Sequence, residues 1–361
     1  MPYTLFIFAA IVPAFVIVGV YLERKVSAFI QDRMGPMEVG KWGLLQLFAD
    51  LIKLIFKEDI VPKAADRRLF LIAPFVIFCA VFAGFAVLPL APDLRGSTAT
   101  VGVFFLLTIV AIDVLGILMA GWGSNNKYSL IGAVRAVSQM ISYEVPLTLS
   151  VLCVVMFCQS LDLQEISFLQ GIYSGEANYL FGVRALGIDV TDVGGIFTWN
   201  ILRNPFLLLA YVVFFIASLA ECNRAPFDIP EGESELVGGF HTEYSGMRYA
   251  VLMLSEYGMM LLVSLLGAIL FLGSWNTPLP NIGPLRLAEW TSGAPGTIAG
   301  YVTGIFWLFL KAILAVIVQM WARWTLPRLR VDQLVYLGWK VLTPVGIVLF
   351  FITGVWRLIG G

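Results

Sequence analysis

Eight stretches of this chain are each apolar over about 20 residues, the length a helix needs to cross the hydrocarbon core of a bilayer. They lie near 3–22, 69–90, 101–121, 141–159, 203–221, 249–272, 298–320 and 335–357. In lipid the backbone must satisfy its own N–H and C=O groups, so such runs close into helices. The expected fold is therefore all-α: a polytopic membrane helix bundle of about eight transmembrane helices. Apolar residues make up 59% of the 361, above the roughly 45–50% of a soluble domain. The N-terminus enters its first apolar run without a basic segment or a small-residue cleavage site, and it reads as a retained helix.

Basic residues set the expected orientation. With both termini outside, segments 23–68, 122–140, 222–248 and 321–334 fall inside and hold 16 Lys and Arg. Five remain outside (Arg95, Arg184, Arg203, Arg286 and Arg357), and Lys311 and Lys340 lie in spans. A formal net charge of -1 gives no basis for nucleic-acid binding.

Within the first inner segment, 42–57 has Gln46, Asp50, Lys53 and Lys57 on one helical face, with Leu47, Phe48, Leu51, Ile52, Leu54 and Ile55 around the rest. That is an amphipathic helix for the interface or the bundle flank. It either seals the bundle or walls a cavity for an amphipathic, long-tailed ligand.

The acid of the chain concentrates in 221–248. Glu221, Asp228, Glu231, Glu233, Glu235 and Glu243 stand there against Arg224 and Arg248, in a sequence only 13% charged. Glu221 and Arg224 are three apart near a helix end, close enough to pair. Glu231 and Glu235 share a face, where like charges repel and hold protons. Glu144 and Glu256 add carboxylates within apolar helices, where each needs water or a partner. Together these groups suit a proton relay or ligand chamber; singly, each suits a local salt bridge. Asp113 and Lys311 lie mid-span and need partners of their own, each other among the choices.

The single histidine, His241, cannot build a metal or haem site by itself, and none of Cys79, Cys153, Cys158 and Cys222 forms a Cys-x-x-Cys pair. Neither a nucleophile triad nor a dinucleotide or Walker fingerprint is present, so any redox chemistry must be borrowed from a partner.

Five stretches, in order, carry a family resemblance across nearly the whole chain: Glu23-Arg24-Lys25 with QDRMGP and GLLQLFADLIKLIFKED; GWGSNNKYSLIGAVRAVSQMISYEVP; ECNRAPFDIPEGESELVGGFHTEYSG; Glu256-Tyr257; and TLPRLRVDQLVYLGWK. The chain resembles the quinone-chamber membrane subunit of respiratory complex I, the proton-pumping NADH:quinone oxidoreductase. The resemblance implies a quinone path on Glu23, Arg24, Arg33, Lys53, Arg224 and Phe227. It implies a proton-coupling path on Glu144, Glu221, Asp228, Glu231, Glu233, Glu235, Glu243 and Glu256. It further implies FMN and iron–sulfur clusters in partner subunits, none in this chain, and quinone as substrate. The implied neighbours are peripheral quinone-site and iron–sulfur subunits and small and antiporter-like membrane subunits, in a bacterial inner membrane. Three features depart from the pattern: Met37-Glu38 after Gly-Pro, Asp113 outside any motif, and a long 160–202 segment. The competing functions are the membrane anchor of a related energy-converting hydrogenase and a free-standing cation transporter. The full acidic loop and the basic first loop favour the complex I assignment, and the few ionisable residues in the outer halves count against the transporter.

Overall fold

The computed structural model describes the chain apart from residues 1–2, 175–176, 184–186, 188, 230–231, 233–235, 283–284 and 361. Among the described residues the protein is a helix bundle whose only extended pairings are isolated bridges. The main helices are α1 (Tyr3–Ile30), α2 (Gln46–Phe56), α3 (Arg67–Gly84), α4 (Gly102–Gly123), α5 (Lys127–Cys158), α6 (Pro205–Glu221), α7 (Gly246–Leu270), α8 (Ile298–Thr325) and α9 (Thr343–Gly360). Short helical turns lead into α9 over Val331–Leu342. Among the described residues seven segments are long and apolar enough to span a bilayer, and α6, at 17 residues, is just short of that length.

Local chemistry sets the starts of several helices. Asp66 accepts from the backbone N–H groups of Arg68 and Leu69 at the head of α3. Asn126 caps α5 through Tyr128 N–H, and Asn204 caps α6 through Phe206 N–H with Pro205 in the first turn. Phe75, Leu115, Leu208, Ile298, Leu314 and Phe351 form part of an exposed apolar surface suited to lipid.

Helix α7 is the post of the bundle. Every residue from Tyr257 to Phe271 is buried, the state expected of a helix that is apolar all round. It packs on α3 and α8 and also touches α1, α2 and α6, so a group on α7 can face several chambers.

Two boundaries differ from the expected spans. Helix α1 continues past residue 22 and carries Glu23 in its lower turns. Helix α5 begins at Lys127 and not near 141, leaving 124–126 between α4 and α5. Residues 127–140 are interrupted by Lys127, Arg135 and Gln139 and fall short of a membrane span's hydropathy, yet Ser129, Gly132, Ala133, Ala136, Gln139 and Met140 form one buried stripe at helical spacing. Glu144 is thereby placed mid-helix.

The linkers 31–66, 124–126, 222–245 and 326–330 meet at one end. Asn125 donates to Ala64 O at 2.8 Å, Asn126 to Glu243 at 2.6 Å, and Ser245 to Glu58 O at 3.2 Å. Arg328 pairs with Asp228 at 3.2 Å, and Leu329 N–H reaches Pro226 O at 3.1 Å. At the opposite end, the described parts of 160–202 fold over the residues that follow α7. Gln170 bonds Asn200 N–H, Gly273 N–H and Ile269 O, and Asn276 bonds Ser167 O. Lys311 donates to Ser274 O at 2.8 Å and Asn276 O at 2.6 Å and lies over the Trp199 ring. These carbonyls satisfy the buried ammonium. Lys311 therefore pairs with the backbone of this cap, and Asp113 faces a different chamber.

Candidate functional site

A cavity of about 550 Å³ lies between α1, α2, α7 and α8. Its walls are mostly apolar, with Val16, Val20, Leu47, Leu51, Leu54 and Met253 among them. Its polar end is Glu23, buried within α1. The carboxylate accepts from Arg224 Nη1 at 3.1 and 3.2 Å, from Arg323 and from the Tyr257 hydroxyl. Arg224 also stacks over the Tyr257 ring at 4.3 Å. Burial opposes the charge on Arg224, but the Glu23 carboxylate more than offsets it and holds the guanidinium protonated above its ordinary range. At the rim, Arg24 pairs with Asp50 of α2 at 2.6 Å, and both line the cavity.

Arg224 reaches Glu23 because of how α6 ends. Asn223 takes the left-handed conformation at φ 49, with its N–H on Ala220 O and the Arg224 N–H on Leu219 O. This double closure is a Schellman turn, with Asn standing where Gly is usual. Gln139 braces it by donating to Ala220 O and Asn223 Oδ1. The turn carries Arg224 off the helical face of Glu221 to Glu23, so the Glu221–Arg224 pair that the spacing allows does not form. Three-residue spacing predicts pairing only while the helix continues.

Glu221 points instead between two small cavities of about 20 Å³ each, enough for one water apiece. One is lined by Glu221, Asp113, His241 and Glu256, and the other by Glu221 and Glu144 with Leu106, Val110 and Val263. His241 Nε2 lies 2.8 Å from Glu256 Oε1. The histidine arrives on a tight turn after Gly238, which packs against α5 at Gly132. A Cβ on Gly132 would come within 2.7 Å of the Gly239 Cα, and Gly239 itself has φ +57.

The structure thus places Glu144 and Glu256 at two small cavities that share Glu221, and Glu23 and Arg24 at the larger cavity with Arg224 behind Glu23. Asp228 is buried beside Arg328, and Glu243 accepts from Asn126, both at the linker end. Phe227 packs edge-on against Tyr143 at 5.1 Å, away from the large cavity's lining. Arg33 is exposed, within 3.5 Å of the cavity residue Ser27, and Lys53 is exposed on α2. Glu231, Glu233 and Glu235 lie outside the described residues.

Four residues of these sites were absent from the set expected from sequence: Asp113, His241, Tyr257 and Arg323. The partners of Glu23 lie 201, 234 and 300 positions away, so no local spacing joins them. A usable signal did exist for Asp113, a carboxylate alone in the middle of an apolar span.

Fold and site define a multi-pass membrane subunit with its ionisable groups gathered inside the bundle beside an apolar cavity. The NADH dehydrogenase family profile matches residues 3–354. The second H subunit of the NADH-quinone oxidoreductase of Cytophaga hutchinsonii is 66% identical over 341 residues, covering 93% of each chain. The corresponding H subunit of Chlorobium luteolum is 51% identical over 363 residues, covering 99% of this chain and 90% of the relative. That of a Geobacillus species is 43% identical over 341 residues, covering 94% and 89%. The chain belongs to the family of the NADH-quinone oxidoreductase H subunit, a membrane component of complex I.

Proposed function

We propose that this chain forms the quinone entrance and part of the quinone chamber of its complex, and that it begins the acidic path coupling quinone reduction to proton translocation. The observation that carries this is the position of two adjacent residues of α7. Tyr257 lines the large cavity and bonds Glu23, whereas Glu256 lines the acidic cavity and meets His241. Adjacent helical side chains diverge by roughly 100°, so α7 is a shared wall.

The apolar walls suit an isoprenoid tail, and the volume falls within the roughly 300–1,000 Å³ of ligand pockets. At the polar end two guanidiniums and one carboxylate leave net positive charge, which favours a reduced, electron-rich headgroup. Arg224 touches Glu23 and also lies within electrostatic range of Glu256. A charge change at the headgroup is thereby felt by the acidic interior. Arg24, Arg33 and Lys53 form the basic rim, and Phe227 stiffens the loop behind Arg224. Glu144, Glu221 and Glu256 carry the path inward, with Asp228, Glu231, Glu233, Glu235 and Glu243 on the linker that adjoins the peripheral subunits. Those partners supply FMN and the iron–sulfur clusters, and antiporter-like subunits receive the signal. Both termini face the periplasm, in an inner membrane.

The test pairs native quinone reduction and proton uptake with NADH oxidation by an artificial acceptor, in vesicles carrying the whole complex. Glu221→Gln and Glu256→Gln should assemble and keep artificial-acceptor activity near the parent. Quinone-linked turnover and pumping should fall by about 10²-fold, the lower end of what a positioned proton-transfer group contributes. Parental pumping in both variants sinks the acidic path.

A further inference from the structure

The acidic interior contains two titratable groups that the coupling path above does not use. His241 is buried, and its Nε2 meets Glu256 Oε1 at 2.8 Å. Asp113, in the middle of α4, is 6% exposed and lines the same one-water cavity. Its Oδ1 and Glu221 Oε2 are buried and make no hydrogen bond to described protein atoms. A buried carboxylate oxygen without a protein donor needs water or its own proton. Asp113 is close enough to Glu256 and to Glu221 for their charges to interact.

We propose that His241 and Asp113 are proton-exchanging members of this chamber: the imidazole passes a proton between its Nε2 and Glu256 Oε1, and Asp113 exchanges protons with Glu221 and Glu256 across the cavity. No electrons move, and each transfer breaks one N–H or O–H bond and forms another. The inference rests on the proposed acidic path and extends it to α4 and to the turn before α7. Among the described residues, the titratable and charged groups facing the imidazole chamber include Asp113 from α4, Glu221 and Cys222 from the end of α6, Glu256 and Tyr249 from α7, and Arg224 at longer range. Burial pushes the Cys222 thiol up, so it stays protonated and carries nothing. The carriers are then one imidazole and three carboxylates. An imidazole changes charge near neutral pH and serves as both donor and acceptor. Glu221 lines both this cavity and the one that holds Glu144, so it is the carboxylate common to the two.

The experiment uses the complex with its native partners in vesicles, carrying His241→Gln or Asp113→Asn. Glutamine keeps an amide able to bond Glu256 but does not titrate. Quinone-linked turnover and proton uptake are followed from about pH 5.5 to 8.5, across the imidazole range. In the parent, turnover should fall as pH rises through the imidazole titration, because the imidazolium is the donor. His241→Gln should lose about 10²-fold at neutral pH and show no such limb, with artificial-acceptor activity unchanged. Asp113→Asn should lower proton uptake per quinone reduced. If His241→Gln fails to assemble, His241→Lys retains a cation beside Glu256 that does not release its proton in this range, and the limb should again be absent. A parental pH profile in an assembled His241 variant, or parental uptake in Asp113→Asn, overturns the proposal. Glu221→Gln and Glu256→Gln run alongside separate the two ideas. If they lose coupling while the His241 and Asp113 variants do not, the acidic path stands and this inference fails; if they pump normally, both fail.

Discussion

Glu23 is held by three donors from three other parts of the chain, and its charge is shared between two arginines. Removing one member of a buried ion pair costs roughly 3–5 kcal/mol, because the surviving charge keeps its desolvation penalty. Glu23→Gln should therefore lower the thermal stability of the purified complex as well as its quinone reduction. Adding Arg224→Met should recover part of the stability but not the activity. A thermal scan of both variants decides it: parental stability in Glu23→Gln alone would show that the cluster is not strongly coupled. The rim pair Arg24–Asp50 is a contrast. Its side chains are 45% and 31% exposed, so it should contribute at most about 1 kcal/mol.

The C-terminus of α6 is the element that assigns charges to chambers. It leaves Glu221 on the helix facing α4 and α5, and the left-handed Asn223 turns Arg224 toward α1. A non-glycine residue pays about 1–2 kcal/mol in this conformation, which Asn relieves through its short polar side chain. Asn223→Gly should therefore assemble and retain turnover. Both variants lose the Gln139 hydrogen bond to the Asn223 side chain, but only Asn223→Ala bears the left-handed backbone cost, and it should reduce quinone-linked turnover more than artificial-acceptor activity. Equal turnover in the two variants would remove the turn from the mechanism. Helix α2 shows the same logic at the cavity rim. Leu47, Leu51 and Leu54 face the chamber, while Phe48, Ile52, Ile55 and Phe56 stay exposed for lipid or a neighbouring subunit.

The whole bundle is polarised around α7. Its linker end gathers the acidic loop, the amphipathic helix and most of the basic residues, while the opposite end is closed by an amide-rich cap and Lys311. Because 31–66, 124–126 and 222–245 bond one another, cysteines placed at Asp59, Asn125 and Glu243 should label from one face of intact membranes. A cysteine at Asn281 should label from the other. The basic-residue count predicts that the first face is the inner one. Labelling of the 222–245 region only from outside would reverse the orientation without changing which linkers sit together.

Apolar run length made the helix bundle legible from residues alone, because a span in lipid has few alternatives to a helix. The motifs likewise pointed to the family, and isolated intramembrane carboxylates such as Glu144 and Glu256 stood out by their cost. Helix ends were less legible. The buried stripe of 127–140 is formed by small and polar residues whose average hydropathy does not mark a helix, and Asn223 terminates α6 by a backbone conformation no three-residue rule contains. Partner choice was not legible at all. Glu23 could be read as one charge in a basic loop, but its arginines lie hundreds of positions away, and only packing around α7 brings them within hydrogen-bond reach. Hydropathy acts along the chain and is therefore written locally. Ion pairing acts through space, so Arg224 was free to leave Glu221 for Glu23 once the helices had packed.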